Sequence, residues 1–535
     1  MRPALGSDGL GWRAVLSAFV SPWPAGIIRQ FKASLVAGLL LVLPILLFVH
    51  RYIDDYGRSM DGEYRWAEVG RPLAAGLVAL VNLGAPAVAV APLHQLLAVG
   101  VLALVAVAAA RAYGLRSPFW SALATLPLLG QPYALENLSY GFDCLAMALA
   151  LGLAVLASVT LHWLVSWRGL LISSALLLAS LCLYQPATSG FLPFALMLVL
   201  GEALGLAAPL PAPPALRCRL ALWRRLVRVW ASYGLALASY LLLIRLVLQE
   251  RTSYATEQGR ALPLDAALPI QLLRHALEFW QIIFADWSRW PISVPWLLLL
   301  LAYAVVVWVA VGRWPMGRGG KPAGRWRQMA CSVLVLAAVA LIALISPGAL
   351  LGLEDPLARA PRLLLFLGPL LSAVALQIVA GTTQLRWRLL PRAALVSLAW
   401  LMVVVAYAYG HATSTQAIYE QGRISRLIDG ISRLQVRQPE ARLTAIRFVG
   451  GMPQSPVLRN SQTKFPLLDR LVPRLINDDW SWGRTQLQFH GLKLERSQLE
   501  PEAFPDGPCI PSPTTACSSE YSLQVRDGNL LVRML

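Results

Sequence analysis

The chain has 535 residues, of which 57% are hydrophobic and only 14% charged, with a mean hydropathy of +0.58. A soluble protein of this size must present a surface that water tolerates, so the composition excludes one and predicts an all-α polytopic membrane protein. The formal charge of +18 does not indicate a nucleic-acid partner, because the basic residues gather in loops on one side of the predicted spans, as membrane topology requires.

Residues 1–30, with Pro3, Trp12, Trp23 and Pro24, predict a cytoplasmic segment and no cleavable signal peptide. The membrane portion, 31–410, predicts about eleven spans. They lie near 31–49, 92–110, 118–133, 144–165, 169–185, 190–208, 227–248, 292–312, 329–346, 362–381 and 393–410. Alternate connections carry Arg217, Arg219, Arg224 and Arg225, then Arg313, Arg318, Lys321, Arg325 and Arg327, then Arg386, Arg388 and Arg392. Asp8 is the only acidic residue on that side. The opposite loops are mixed or neutral in charge. This asymmetry predicts a multi-pass protein with an inside N-terminus and an outside C-terminal tail.

Segment 72–91 is broken by Pro72, Asn82, Gly84 and Pro86 and predicts helices lying in the interface or re-entering. The third span carries Pro127 and Pro132 and predicts a short helix bordering a cavity. The tail, 411–535, mixes charges, prolines and short apolar groups, and predicts a small periplasmic α/β or mostly β domain. Cys509 and Cys517, close together in this exported segment, predict a disulfide, whereas Cys144, Cys182, Cys218 and Cys331 read as small apolar fillers.

The polar residues of the outer side carry the chemistry. Arg51-Tyr-Ile-Asp-Asp-Tyr-Gly-Arg-Ser59 follows the first span and presents Asp54 and Asp55 with Tyr56 and Arg58. A carboxylate there can take a proton from a sugar hydroxyl or hold a cation, and an arginine can grip a phosphate. A second turn, 131–143, brings Glu136, Asn137, Tyr140 and Asp143 to the same face. Tyr184-Gln185 ends another span, and Arg362 follows Glu354 and Asp355 at the start of the tenth. Short polar turns converging on one face predict a shared cleft for a polar ligand at the lipid boundary. Either aspartate could instead cap a helix or pair with an arginine, and Arg58 and Arg71 could be interfacial anchors. Glu136 and Asp143 could pair with arginines across the cleft. No P-loop, dinucleotide fingerprint or His/Cys metal cluster occurs; a divalent metal at the carboxylates is left open.

Three segments resemble the serotype-converting bacterial O-antigen glucosyltransferases, the Gtr type II family. The first is Arg51–Ser59 with Trp66 and Gly70-Arg71-Pro72-Leu73. The second is Pro132-Tyr-Ala-Leu-Glu-Asn-Leu-Ser-Tyr-Gly-Phe-Asp143 with Met147, and the third is Tyr184-Gln185. The resemblance covers residues 30–410 and implies a GT-C-like membrane glycosyltransferase. It implies a polyprenyl-phosphate sugar donor, with glucose the sugar, and a lipid-linked glycan acceptor on the periplasmic side. It implies an essential acidic residue in the first outer loop, matched by the Asp54-Asp55 pair without saying which member acts; of the two Asn variants, that of Asp55 is expected to be the more damaging. The residues permit this chemistry: Arg58, Arg71 and Arg362 could clamp a phosphate, and Tyr52, Tyr56, Trp66, Tyr133 and Tyr140 could stack on a sugar. The alternatives are an O-antigen polymerase or ligase, which carries a large late outer loop, and a transporter or flippase of polyprenyl-linked sugars.

Overall fold

The computed structural model describes residues 24–49, 51–208, 219–247, 259–313, 324–356, 361–382, 388–437, 442–477, 481–503 and 509–535. Cys218, Arg359 and the basic segments 209–218 and 314–323 lie outside the described residues.

In chain order the helices are α1 (Ala25–Phe48), α2 (Asp55–Asp61), α3 (Pro72–Val81), α4 (Leu93–Ala112), α5 (Pro118–Gly130), α6 (Ala134–Ser139) and α7 (Cys144–Trp163). There follow α8 (Trp167–Leu183), α9 (Phe191–Leu204), α10 (Arg219–Val247), α11 (Leu268–Trp287), α12 (Ser293–Gly312) and α13 (Arg325–Ile345). The last of the bundle are α14 (Leu367–Thr382) and α15 (Leu389–Arg437). A helix stands at each of the eleven expected spans. Among the described residues nine are long and apolar enough to cross a membrane, whereas α5 and α8 are shorter. At 1.5 Å per residue α1 reaches about 36 Å, more than the roughly 30 Å of hydrocarbon in a bilayer. α3 reaches only about 15 Å, and the rest of the 72–91 segment is irregular.

Close helix contact positions the end of α1. Pro44 lies inside α1, and Gly410 of α15 meets it so closely that an added Cβ would stand 2.6 Å from the proline Cβ. Such small-residue contacts are how apolar helices associate where no hydrophobic force separates them from lipid. α4 and α5 pack on the other sides of α1, and α7 packs between α4 and α8.

Several described basic residues near the helix ends make contacts of their own. Gln30 Nε2 donates to the Leu115 carbonyl at 3.0 Å and Arg111 Nε donates to Gln30 Oε1 at 2.6 Å. Arg225 reaches the Leu161 carbonyl at 2.8 Å, and Arg392 lies over the Trp120 ring.

α15 runs without interruption past residue 410 to Arg437, so the expected boundary at 411 falls inside one helix. Its last turns supply Ile424, Leu427, Ile431 and Leu434 to a second core with Ile446, Phe448, Leu523, Leu530 and Val532. The strands are β1 (Ala445–Val449), β2 (Glu495–Arg496), β3 (Thr515–Cys517), β4 (Tyr521–Arg526) and β5 (Asn529–Met534). They form one sheet in the order β2-β1-β5-β4-β3. β1 is parallel to β2 and β5, and β3, β4 and β5 pair antiparallel. Alternate residues of β1, Ile446 and Phe448, turn inward, as the period of a strand with one buried face requires. The helices α16 (Pro456–Lys464), α17 (Leu468–Leu471) and α18 (Ser481–Phe489) complete an α/β domain.

Cys509 and Cys517 are joined as a disulfide. Closing so short a loop stabilises the domain by about 2–3 kcal/mol through the unfolded chain. Neither thiol should therefore be alkylated in unreduced, denatured protein, while both should react after reduction; mass spectrometry of the tail peptide separates the two outcomes.

Candidate active site at the acidic loop

The acidic loop leaves α1 through extended Val49 and turns sharply at Ile53, whose φ is +38°. A β-branched side chain rarely adopts this left-handed region, and holding it there costs on the order of 1–3 kcal/mol. What holds it is Asp55. Its Oδ2 accepts the Tyr52 N–H at 3.0 Å and the Gly141 N–H at 2.8 Å, joining the first marker segment to the second. A side chain at Gly141 would crowd this oxygen, since an added Cβ would lie 3.2 Å from it. His94 Nδ1 sits 2.7 Å from the Gly141 carbonyl and so donates to it, which ties in α4 as well.

Asp55 is 3% exposed, and no donor among the described residues reaches its Oδ1. Burial pushes its pKa up to about 6, against the pull of the two backbone N–H groups and Arg58. With the folded pKa raised, the stabilisation linked to this group is fully present below the ordinary aspartate pKa. It is lost as pH rises towards 6.

Asp54, one residue earlier, is half-buried and occupies the N-cap position of α2 without capping it. Its Oδ1 accepts the Trp482 indole N–H, 3.1 Å away, from α18 of the C-terminal domain. Its charge acts on Glu136, Tyr140 and Arg362. The two aspartates therefore differ in setting: Asp55 fastens backbone, and Asp54 faces ionisable groups.

Glu136 lies in α6, buried, and its Oε2 accepts the Arg362 backbone N–H at 2.8 Å. Burial is the main cause that lifts its pKa to about 7, with Arg362 opposing. The Arg362 guanidinium hydrogen-bonds the Tyr140 hydroxyl and lies over that ring. Asn137 Nδ2 contacts Met147 Sδ at 3.3 Å.

Arg58 pairs with Asp143 and lies 4.6 Å over the Trp66 ring, while Trp66 Nε1 donates to Asp143 Oδ1 at 2.6 Å. These three residues close on one another. Tyr52, Trp66, Tyr133 and Tyr140, expected as stacking surfaces, are packed inside, with at most 2% exposure. Tyr56 is half-buried and meets Phe489 edge-on at 5.1 Å.

Beyond Arg362 opens a cavity of about 280 Å³. Its polar lining includes Glu68 as well as Arg71, Arg362, Tyr184, Gln185 and Tyr240, and its apolar lining includes Leu237, Leu241 and Ile244 of α10 with Leu350 and Leu353. Arg71 Nε donates to Gln185 Oε1 at 2.9 Å and its guanidinium lies over Tyr184. Gln185 Nε2 in turn reaches the carbonyls of Val69 and Gly70 and the Tyr240 hydroxyl. Gly70 has φ +79°, and a Cβ there would lie 2.6 Å from that hydroxyl, so this turn accepts only glycine.

The structure thus brings Asp54, Glu136, Tyr140 and Arg362 together, and separately Arg71, Tyr184, Gln185 and Arg362 around one cavity. Arg58, Trp66 and Asp143 form a third group beside Asp55. Sequence reasoning did not single out Trp482 or Asp286. Asp286 is buried, accepts the Tyr133 hydroxyl at 2.8 Å and pairs with Arg470 of the C-terminal domain at 2.8 Å. The amphipathic period of α11 signals that this helix has a covered face. Nothing local in Ser481-Trp482 signals a partner 428 residues earlier. Among the described residues no group of three His, Cys, Asp or Glu is placed to hold a metal ion.

A search of known families matches residues 43–371 to the Glucosyl transferase GtrII model. The chain is also 24% identical over 458 residues to an uncharacterized 55.3 kDa protein in the gtrB 5' region of Salmonella phage P22, covering 85% of this chain and 89% of that one. The family match spans the acidic loop, the Glu136 turn, the Tyr184-Gln185 turn and Arg362, which are the segments that build the site. The chain belongs to the GtrII glucosyl transferase family and is a membrane glycosyltransferase in the setting of O-antigen modification.

Proposed function

We propose that the protein transfers a sugar, glucose by family resemblance, from a polyprenyl-phosphate donor to a lipid-linked O-antigen acceptor, on the periplasmic side of the bacterial inner membrane. The observation that carries this reading is the cavity, whose lining combines two arginines, beside Glu68, with leucine and isoleucine side chains. A phosphate with a long isoprenoid tail has that same division of chemistry: an anion for Arg71 and Arg362, and hydrocarbon for Leu237, Leu241, Ile244, Leu350 and Leu353.

Arg362 also links the cavity to the carboxylates, through its backbone to Glu136 and through charge to Asp54. In an inverting displacement the acceptor oxygen forms a bond to the anomeric carbon as the bond to the phosphate oxygen breaks. The electron pair leaves with the polyprenyl phosphate, whose charge the arginines stabilise, and the acceptor proton passes to a carboxylate. Asp54 is the better placed of the pair, because Asp55 Oδ2 already accepts two backbone N–H groups and its carboxylate is enclosed. Glu136 then holds the Arg362 backbone. The arginines supply positive charge that phosphate departure needs.

The sidedness rests on the charge of the sequence: the arginine clusters fall in alternate connections and the acidic loop in the opposite set. An alkaline phosphatase fused after Leu535 should be active and one fused near Gly319 inactive; the reverse pattern would put the acidic loop on the wrong side.

Asp54→Asn should lower glycosylation of surface polysaccharide in cells by about 10²–10⁴-fold, the usual worth of a general base, at unchanged protein level. Asp55→Asn keeps an acceptor for the two N–H groups and should leave activity measurable. Equal, near-normal glycosylation in both variants would move the base elsewhere, Glu136 first.

Arg362→Ala removes one charged contact to the phosphate, worth about 1.5–3 kcal/mol, and should reduce kcat/KM for the polyprenyl-phosphate sugar by roughly 10–100-fold. Unaltered kcat/KM would show that the phosphate sits away from this cavity.

A further inference from the structure

We infer that Trp482, in the C-terminal domain, is a positioning residue for the transfer, orienting the Asp54 carboxylate through its indole N–H. The inference rests on the reading of Asp54 as the proton acceptor. The domain thereby completes a site whose other parts all come from the membrane portion.

The contact is part of a docked surface. α18 lies along α2: Arg51 stands 4.8 Å over the Phe489 ring, Tyr56 meets the same ring edge-on, and Gly57 faces Thr485. Trp482, at the other end of α18, reaches Asp54 Oδ1 at 3.1 Å and is itself half-buried. Further contacts hold the domain independently of this one. The Tyr52 hydroxyl donates to the Leu471 carbonyl at 2.8 Å, Arg470 pairs with Asp286, and Arg289 donates to the Thr463 carbonyl at 2.9 Å. Gln416 and Glu420 of α15 bind the backbone at Ser455 and Leu475. Losing the indole N–H therefore leaves the domain seated.

Its effect falls on Asp54. An aspartate side chain rotates about two bonds, and this one receives no capping bond from α2. A donor on Oδ1 fixes the carboxylate plane and leaves proton transfer to Oδ2. A hydrogen bond to a charged group is stronger than one between neutral groups, and misplacement of a reacting group by about 1 Å costs on the order of 10²-fold in rate. The expected signature is a fall in kcat with the donor KM unchanged, since Trp482 is not among the residues that line the cavity.

The test uses the full chain in proteoliposomes, with undecaprenyl-phosphate glucose as donor and surface polysaccharide precursor from the source cells as acceptor. Two changes are compared: Trp482→Phe, and incorporation of benzothienylalanine at position 482, which replaces the N–H by sulfur at nearly constant shape. Both should lower kcat by roughly 10–100-fold with KM and Tm as in the unaltered protein. Full kcat in the benzothienylalanine protein overturns the inference, and so does a loss that appears only together with a lowered Tm. Asp54→Asn, run beside them, separates the two ideas. If it is fully active, the reading of Asp54 as base is wrong. If it is inactive while both Trp482 changes are silent, only the role of Trp482 is.

Discussion

One buried carboxylate organises the functional end of this protein. Asp55 accepts backbone N–H groups from Tyr52 and from Gly141, two segments that the chain separates by a whole helical hairpin. Without that bridge the turn at Ile53 would relax from its left-handed conformation, and the setting of Asp54, whose charge acts on Glu136 and Arg362, would change with it. The arrangement is costly, since it buries a charge and lifts its pKa to about 6.

Around that bridge the polar residues divide into groups with different tasks. Arg58, Trp66 and Asp143 satisfy one another by ion pair, hydrogen bond and cation–π contact, so they give rigidity beside the carboxylates. Arg71 is oriented by Gln185 and Tyr184, and Arg362 by Tyr140, with the charges of Glu136 and Asp54 acting on it. Arg362 joins both sides, because its backbone is fastened to Glu136 while its side chain reaches the cavity.

The C-terminal domain is continuous with the bundle in a mechanical sense. α15 rises out of the apolar core, and its last turns become part of the core of the α/β domain. A single helix shared by two cores couples their orientations, and the Asp286–Arg470 pair adds a second, separate tie. The domain packs α18 against α2 of the acidic loop.

The sequence by itself determined the class, the helices and the residues of interest. Apolar runs of spanning length need no tertiary information, because the bilayer and the helical rise set their length. The clustering of Asp54, Asp55, Glu136, Tyr184, Gln185 and Arg362 at helix ends was likewise readable, since ionisable groups avoid apolar runs. Only the tertiary structure decided what each one touches. It separated Asp54 from Asp55, which are adjacent and chemically identical, by giving one of them two backbone donors and the other an indole. It enclosed Trp66 and Tyr140, because an aromatic ring beside arginines can face either a ligand or the interior. It also brought Trp482 and Asp286 to the site from segments with no motif. Long-range contacts of this kind depend on how helices and domain dock, and no local pattern of residues encodes that distance.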